Sequence, residues 1–207
     1  MEIKDLGLID YASAYSLQEE LNDDVQRGSA PETLLLLEHL PVYTIGRGGS
    51  EENVLDPSLE VIRTNRGGDI TFHGPGQLVG YPIVNLSLRG RDLHLYLRFL
   101  EELIILTVAD FGVGAYRVAG QTGVWTDRGK LASIGAGARR WVTMHGFALN
   151  VKPLEAGFSR INPCGIKDCP LTSLEMETDS VIPIAQVKGG VIERFEKLFD
   201  GWLPSHF

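Results

Sequence analysis

The 207-residue sequence predicts one α+β domain, a mixed and largely antiparallel sheet flanked by helices, on three observations. Three separated segments carry apolar residues at helical spacing. Apolar runs of strand length lie between them. From Tyr116 onward, β-branched and alternating runs follow one another with only turn residues between, which is the pattern of an antiparallel meander. No repeat, low-complexity tract or linker interrupts the chain, so residues 1–207 read as a single domain, large enough to bury roughly 70% of its unfolded surface without disulfide staples.

Taken in order, residues 3–8 read as a short strand. Asp10 has the short acceptor side chain of an N-cap, and Ala14, Leu17, Leu21 and Val25 mark one face of a helix that stops at Gly28. Residues 33–38 include four consecutive leucines, the signature of a strand covered on both faces, and residues 42–45 follow Pro41 as another. Gly46-Arg47-Gly48-Gly49 opens a loop. Strands at 59–64 and 78–86 flank a glycine-rich stretch, 66–77, whose Ile70-Thr71-Phe72 is long enough for a short strand of its own. Asp92 caps a helix with Leu93, Leu97, Leu100, Ile104 and Val108 inward and Gly112 as its stop. Strands follow at 121–126, 131–138 and 141–151, with Asp127-Arg128-Gly129 as a turn. The chain is irregular past Pro153. Pro183 then opens a last helix with Val187, Val191, Phe195 and Leu198 inward and Gly201 as its stop.

Composition excludes several classes of function. The longest apolar run, residues 34–37, is far too short to span a bilayer, and Met1-Glu2-Ile3-Lys4-Asp5 lacks the build of a secretory or transit segment, so a cytoplasmic protein is expected. A net charge of -8 opposes general nucleic-acid binding, because a phosphate backbone is repelled at long range. Cys164 and Cys169 are expected to be free thiols. A zinc site is weakly supported, since Cys-x4-Cys has no second ligand pair nearby in sequence.

The stretch 66–77 places four glycines and a proline beside Arg66, Asp69, Thr71, His73 and Gln77. Glycine lets a ligand approach the main chain, and the polar set equips the loop to hold one. Cys164 stands between Pro163 and Gly165. A buried structural cysteine is the commoner fate of a lone thiol; a nucleophilic one needs a neighbouring cation or base, and Lys130, His73 and His145 are the candidates. Lys130 follows Gly129 at the head of an apolar strand. Ser133-Ile134-Gly135 and Gly146-Phe147-Ala148 are small-residue interruptions where backbone amides can approach a carbonyl oxygen. His39, His94 and His206 have no supporting constellation.

Arg66-Gly67-Gly68, Thr71-Phe72-His73-Gly74-Pro75-Gly76-Gln77, Thr122-Gly123-Val124-Trp125, Lys130, Ser133-Ile134-Gly135, Met144-His145-Gly146-Phe147-Ala148-Leu149-Asn150 and Pro163-Cys164-Gly165 occur in an order that resembles the lipoyl(octanoyl) transferases. The match runs from about residue 34 to 174. The resemblance implies the fold shared by biotin and lipoate ligases, of class II synthetase type. It implies transfer of an octanoyl or lipoyl group from acyl carrier protein to a lysine of lipoyl domains, those of 2-oxoacid dehydrogenases and the glycine cleavage H protein, with no cofactor. It implies that Cys164 carries the acyl group as a thioester and that Lys130 promotes its thiolate. Arg66, Gly67, Gly68, Asp69, Ile70, Thr71, Phe72, His73, Ser133, Ile134, Gly135, Gly146, Phe147 and Ala148 would line the acyl site. Gly135-Ala136-Gly137-Ala138 is poorer in bulk than the family pattern, which bears on pocket width.

An acidic carrier meeting an acidic enzyme needs a local basic surface, for which Arg139 and Arg140, with Arg117 and Arg128, are the candidates. Three rivals stay open: an ATP-dependent lipoate or biotin ligase on the same fold, a non-catalytic carrier-binding module, and a Cys164-His73 thioester hydrolase.

Overall fold

Caps and apolar spacing set the elements one by one. In the computed structural model, which describes residues 1–203, the chain runs β1 (Glu2–Ile9), α1 (Tyr11–Arg27), β2 (Thr33–His39), β3 (Val42–Ile45), β4 (Val61–Arg63), β5 (Ile70–His73) and β6 (Gln77–Ile83). It continues through α2 (Leu93–Ala109), β7 (Tyr116–Val118), β8 (Gln121–Thr126), β9 (Gly129–Arg139), β10 (Val142–Asn150), α3 (Glu155–Phe158), α4 (Leu174–Thr178) and α5 (Ile184–Trp202). His206 lies outside the described residues.

Seven strands form one sheet in the order β1-β2-β6-β10-β9-β8-β7. Only β1 and β2 are parallel, joined by α1 as a crossover; the other neighbours are antiparallel, and β8-β9-β10 is the expected meander. A three-stranded sheet, β4-β3-β5, stands apart from it. Asp10 caps α1 by accepting from the Ser13 amide at 2.9 Å, and Gly28 ends it with φ 70°. Asp92 caps α2 by accepting from the Leu95 amide at 2.8 Å.

Alternation along β2 divides the core. Leu34 and Leu36 enter the larger cluster with Phe99, Leu103, Phe195 and Phe147, under α2 and α5. Leu35 and Leu37 face the other way, into a cluster with Ala14, Leu21 and Val25 of α1. All four leucines are fully buried, so each face of the strand is apolar and the run reads as continuous. On the α1 side the helix covers only part of the sheet. The small sheet and the 66–69 loop cover the rest, and the space between them is the cavity described below.

Several boundaries differ from the sequence reading. The strand expected at 59–64 keeps only Val61–Arg63, and β6 ends at Ile83 because Asn85 caps a tight turn over Leu86–Leu88 by accepting from the Ser87 amide at 3.0 Å. The strands flanking the glycine-rich stretch belong to different sheets, so the stretch bridges two layers. Regular α2 ends at Ala109, with Asp110 as its cap; a tightened last turn follows, and Gly112 still takes the left-handed φ of 77°. Helix α5 runs through Gly201 to Trp202; Leu198 packs half-buried against the larger core, and Phe199 is buried beside it. The region past Pro153 is not wholly irregular, since α3 and α4 lie within it. No described helix is long and apolar enough to cross a membrane.

Candidate active site

The cavity floor is the α1-side face of the central strands, where the sequence leaves out side chains. Ser133 of β9 is paired with Ala148 of β10, and Gly135 with Gly146, so four small residues share one square of the sheet. Ile134 and Phe147 line the cavity with backbone only, because their side chains alternate into the larger core. A Cβ on Gly135 would come within 3.0 Å of the Gly67 carbonyl, which is how closely the glycine-rich loop lies on the floor. The cavity and its open mouth together hold about 470 Å³ of space, of which only about 50 Å³ is cavity proper.

The loop is pinned in place by its own main chain. The Gly67 amide donates to Ala136 O at 2.9 Å, tying the loop to β9, and Gly68 turns with φ 83°. Arg66 is buried, and its guanidinium donates to the Thr44 carbonyl at 2.7 Å, the Thr44 hydroxyl at 3.0 Å and the Gly67 carbonyl at 3.0 Å. Among the described residues no carboxylate lies within ion-pair distance of it. Burial pushes its pKa down from the ordinary value. Along β5 the alternation is clean: Thr71 and His73 face the cavity, while Ile70 and Phe72 turn into a separate cluster with Tyr43, Phe158 and Ile161. The sequence expectation that Ile70 and Phe72 line the acyl site is therefore corrected, for the physical reason that adjacent strand residues point to opposite faces. Gly67, which is not among the lining residues, anchors the loop to the floor, its amide on Ala136 O and its carbonyl over Gly135.

Cys164 sits on a tight turn, Pro163–Gly165, with φ 57°, a left-handed conformation uncommon for a residue with a Cβ. Gly165 must be small: a Cβ there would fall 2.8 Å from Asp69 Oδ2. Asp69 is itself fixed, accepting from Asn53 Nδ2 at 2.8 Å and from the Ile70 amide at 2.6 Å. Lys130, 2% exposed, donates from Nζ to Cys164 Sγ at 2.9 Å, and Ser133 Oγ lies 3.9 Å from the same sulfur. The Lys130 backbone is clamped by Pro170 O at 2.8 Å and by the Thr172 amide, which donates to Lys130 O at 3.1 Å. Its ammonium lies 5.4 Å from the Trp125 ring centroid. Gly123 closes the other side of the lysine. It has φ 140°, and a Cβ there would meet Lys130 Cε at 2.8 Å.

Of the three candidate partners for the thiol, only Lys130 touches it. His73 spends Nδ1 on Gln77 Oε1 at 2.7 Å, and burial pushes it down to about 3. His145 pairs Nε2 with Asn65 Oδ1 at 2.6 Å and is also pushed down to about 3 by burial, with Arg66 and Arg47 adding to the effect. Both imidazoles are neutral at physiological pH. Cys169 is half-buried, its Sγ 3.7 Å from Pro170 O, and burial pushes its thiol up. Among the described residues no group of three or more His, Cys, Asp or Glu is placed to hold a metal, so the zinc reading finds no ligand set.

The four arginines expected to form one basic surface are dispersed. Arg128 precedes β9 and Arg139 ends it, roughly 35 Å apart along the strand. Arg117 is committed to Glu101 at 3.0 Å and Glu102 at 2.6 Å, and Arg139 to Asn22 at 3.2 Å and to Asp23. Sequence reasoning also missed two lining residues, Tyr11 and Tyr81. Each falls at an apolar position of its own element, and nothing in that spacing separates a cavity wall from a core.

The model of the lipoyl protein ligase A/B catalytic domain matches residues 10–196. The octanoyltransferase of Syntrophotalea carbinolica is 64% identical over 204 residues, covering 99% of this chain and 97% of that protein. Two solved structures share the fold at low identity. The lipoate protein ligase of the lipoylation system of Thermoplasma acidophilum, described with its E2 lipoyl domain, superposes with a TM-score of 0.68 at 16% identity, covering 96% of this chain and 84% of that one. The biotin protein ligase of Aquifex aeolicus gives 0.57 at 16% identity, covering 99% and 72%.

Proposed function

The chain belongs to the lipoyl protein ligase A/B catalytic domain family, and from that premise we propose that it is an octanoyltransferase of lipoate biosynthesis working through a thioester on Cys164. The observation that carries the mechanism is the buried Lys130 ammonium 2.9 Å from Cys164 Sγ at the edge of a cavity floored by small residues. An adjacent cation favours thiolate over thiol, and the thiolate is the nucleophile.

In the first step Cys164 Sγ attacks the carbonyl carbon of an octanoyl thioester on acyl carrier protein. The C–S bond to the carrier breaks, the carrier thiolate takes a proton from Lys130, and the octanoyl group rests on Cys164. One thioester replaces another, so the exchange is nearly isoenergetic. In the second step the amine of the acceptor lysine attacks the new thioester, gives its proton to Lys130, and releases Cys164 as thiolate. The product is an amide, more stable than a thioester, so neither ATP nor an acyl-adenylate enters. Ser133 Oγ and the backbone of the Ser133–Gly135 segment are the donors assigned to the oxyanion. The acceptors are lipoyl domains of 2-oxoacid dehydrogenases and the glycine cleavage H protein.

Incubating the enzyme with octanoyl carrier protein, with and without apo lipoyl domain and ATP, and weighing each protein by mass spectrometry tests this. The expected result is an octanoyl increment on the enzyme without acceptor and on the lipoyl domain with it, independent of ATP. A requirement for ATP would favour a ligase, free octanoate without acceptor a hydrolase, and no product a binding module. An acyl increment surviving denaturation in Cys164→Ala would overturn the thioester assignment.

A further inference from the structure

We propose that the end of the cavity remote from Cys164 is a fixed wall built on Tyr11 and Tyr81 and braced by His39, and that this wall sets the acyl chain length accepted. The inference rests on the acyl-thioester reading and adds a specificity-determining residue to it, Tyr11.

The two ends of the cavity can be told apart by what packs there. The Cys164 turn lies against Asp69, since a Cβ on the neighbouring Gly165 would meet Asp69 Oδ2 at 2.8 Å. From Asp69 the chain runs along β5 to His73, a span of roughly 13 Å. There the His73 ring is 5.6 Å from that of His39, which is in turn 5.2 Å from Tyr11. The floor gives a similar length. Ser133, 3.9 Å from the sulfur, is paired with Ala148, which is paired with Val79 of β6, and Tyr81 lies one step further along the same face. Two strand spacings and that step make roughly 12 Å. An extended octanoyl chain, seven staggered C–C bonds beyond its carbonyl, needs roughly 10 Å including its bond to sulfur. The chain therefore reaches the aromatic wall with little to spare.

The wall is held by hydrogen bonds on its Tyr81–His39 side and by packing at Tyr11, whose buried hydroxyl has no partner among the described residues. Neutral His39 donates from Nδ1 to the Ile9 carbonyl at 3.1 Å and accepts at Nε2 from the Tyr81 hydroxyl at 2.8 Å, which strings Tyr81 to the end of β1. Tyr81 and His39 are both buried, and Tyr11, 6% exposed, packs on the His39 ring from the first position of α1. A flexible end such as methionine would yield to a longer chain. These rings cannot withdraw without breaking the string or unseating the helix. Of the two tyrosines Tyr11 is the one held by packing, so its truncation opens the wall while the string stays whole.

The test is a series of acyl-pantetheine thioesters from hexanoyl to tetradecanoyl, with acylation of Cys164 followed by intact-protein mass spectrometry. The wild-type enzyme is expected to load octanoyl at least about tenfold faster than dodecanoyl. Tyr11→Ala and the milder Tyr11→Leu, each checked for native circular dichroism, should raise the dodecanoyl-to-octanoyl ratio by about tenfold. Equal loading of both chains by the wild type overturns the inference, as does an unchanged ratio in a folded Tyr11 variant. Failure of the wild type to load any chain overturns the thioester reading and the inference with it, whereas loading without length preference leaves that reading standing.

Discussion

Lys130 Nζ lies 2.9 Å from Cys164 Sγ although 34 residues separate the two in sequence. The lysine stands near the start of an eleven-residue strand and the cysteine on a turn held against Asp69, so both positions are fixed by the fold before any substrate arrives. Replacing Lys130 by methionine keeps the stem and removes the charge. Alkylation of Cys164 by iodoacetamide at pH 7 should slow by about tenfold or more, since one opposite charge at this range is worth several kcal/mol even at an effective dielectric of 20. An unchanged rate would remove Lys130 from the thiolate's support.

Gly123 is a packing determinant of that pair. Glu101, fully buried, accepts from the Gly123 amide at 3.1 Å and from Arg98 and Arg117 at 2.6 and 3.0 Å, which fixes the glycine against the lysine. A methyl group at 123 would have to displace Lys130 Cε or the Ala132 carbonyl, each 2.8 Å away, and its φ of 140° is itself strained for alanine. Gly123→Ala is expected to cost about 1–3 kcal/mol of stability and to lower acyl-enzyme formation beyond that cost. A folded variant with wild-type thiol reactivity would show that Lys130 tolerates the shift.

His73→Ala should retain thioester formation, because the imidazole is neutral and its Nδ1 is engaged by Gln77. We expect a rise in KM and a loss of stability of about 1–3 kcal/mol from the uncoupled Gln77 and the vacated wall. Loss of the acyl-enzyme as complete as in Cys164→Ala would restore His73 as a base.

Acid sensitivity follows from the buried imidazoles. Burial pushes His39 down to about 4 and His73 and His145 to about 3, from an ordinary 6.5. Between those values the unfolded chain binds more protons than the folded one, so stability rises with pH across the window. The penalty is absent above pH 6.5 and grows as pH falls from 6.5 toward 4. Each imidazole contributes a slope of about 1.4 kcal/mol per pH unit, so His39→Gln should flatten urea-unfolding stability against pH by about one proton. A parallel curve for the variant would show that His39 is protonated in the folded state.

What the sequence disclosed follows from how locally each feature is determined. Asp10, Gly28 and Asp92 act within one turn of chain, and the expected caps are the caps that form. The paired leucines of β2 carry their burial on both faces in their own order. Ile70 and Phe72 turn away from the cavity because residues alternate along β5, and which of the two faces meets the cavity is set by the packing of the small sheet rather than by the motif itself. Tyr11 and Tyr81 were invisible because a cavity end is made by elements distant in sequence. Arg128 and Arg139 part for the same reason, since proximity in sequence around a long strand becomes separation in space.

The small side chains of Ser133 and Ala148 on the cavity floor leave the hydrophobic interior unfinished. Larger side chains at Ser133 and Ala148 would grow into the cavity and gain packing, whereas Gly135 and Gly146 have no room for a Cβ against the Gly67 and Gly80 carbonyls; the cavity's surrounding atoms lack contacts on one side. The acyl chain then acts as a removable piece of core, supplied by the donor and surrendered to the acceptor. The charged enzyme should accordingly melt at a higher temperature than the free one, and each turnover passes through a loosening of the fold as the cargo departs.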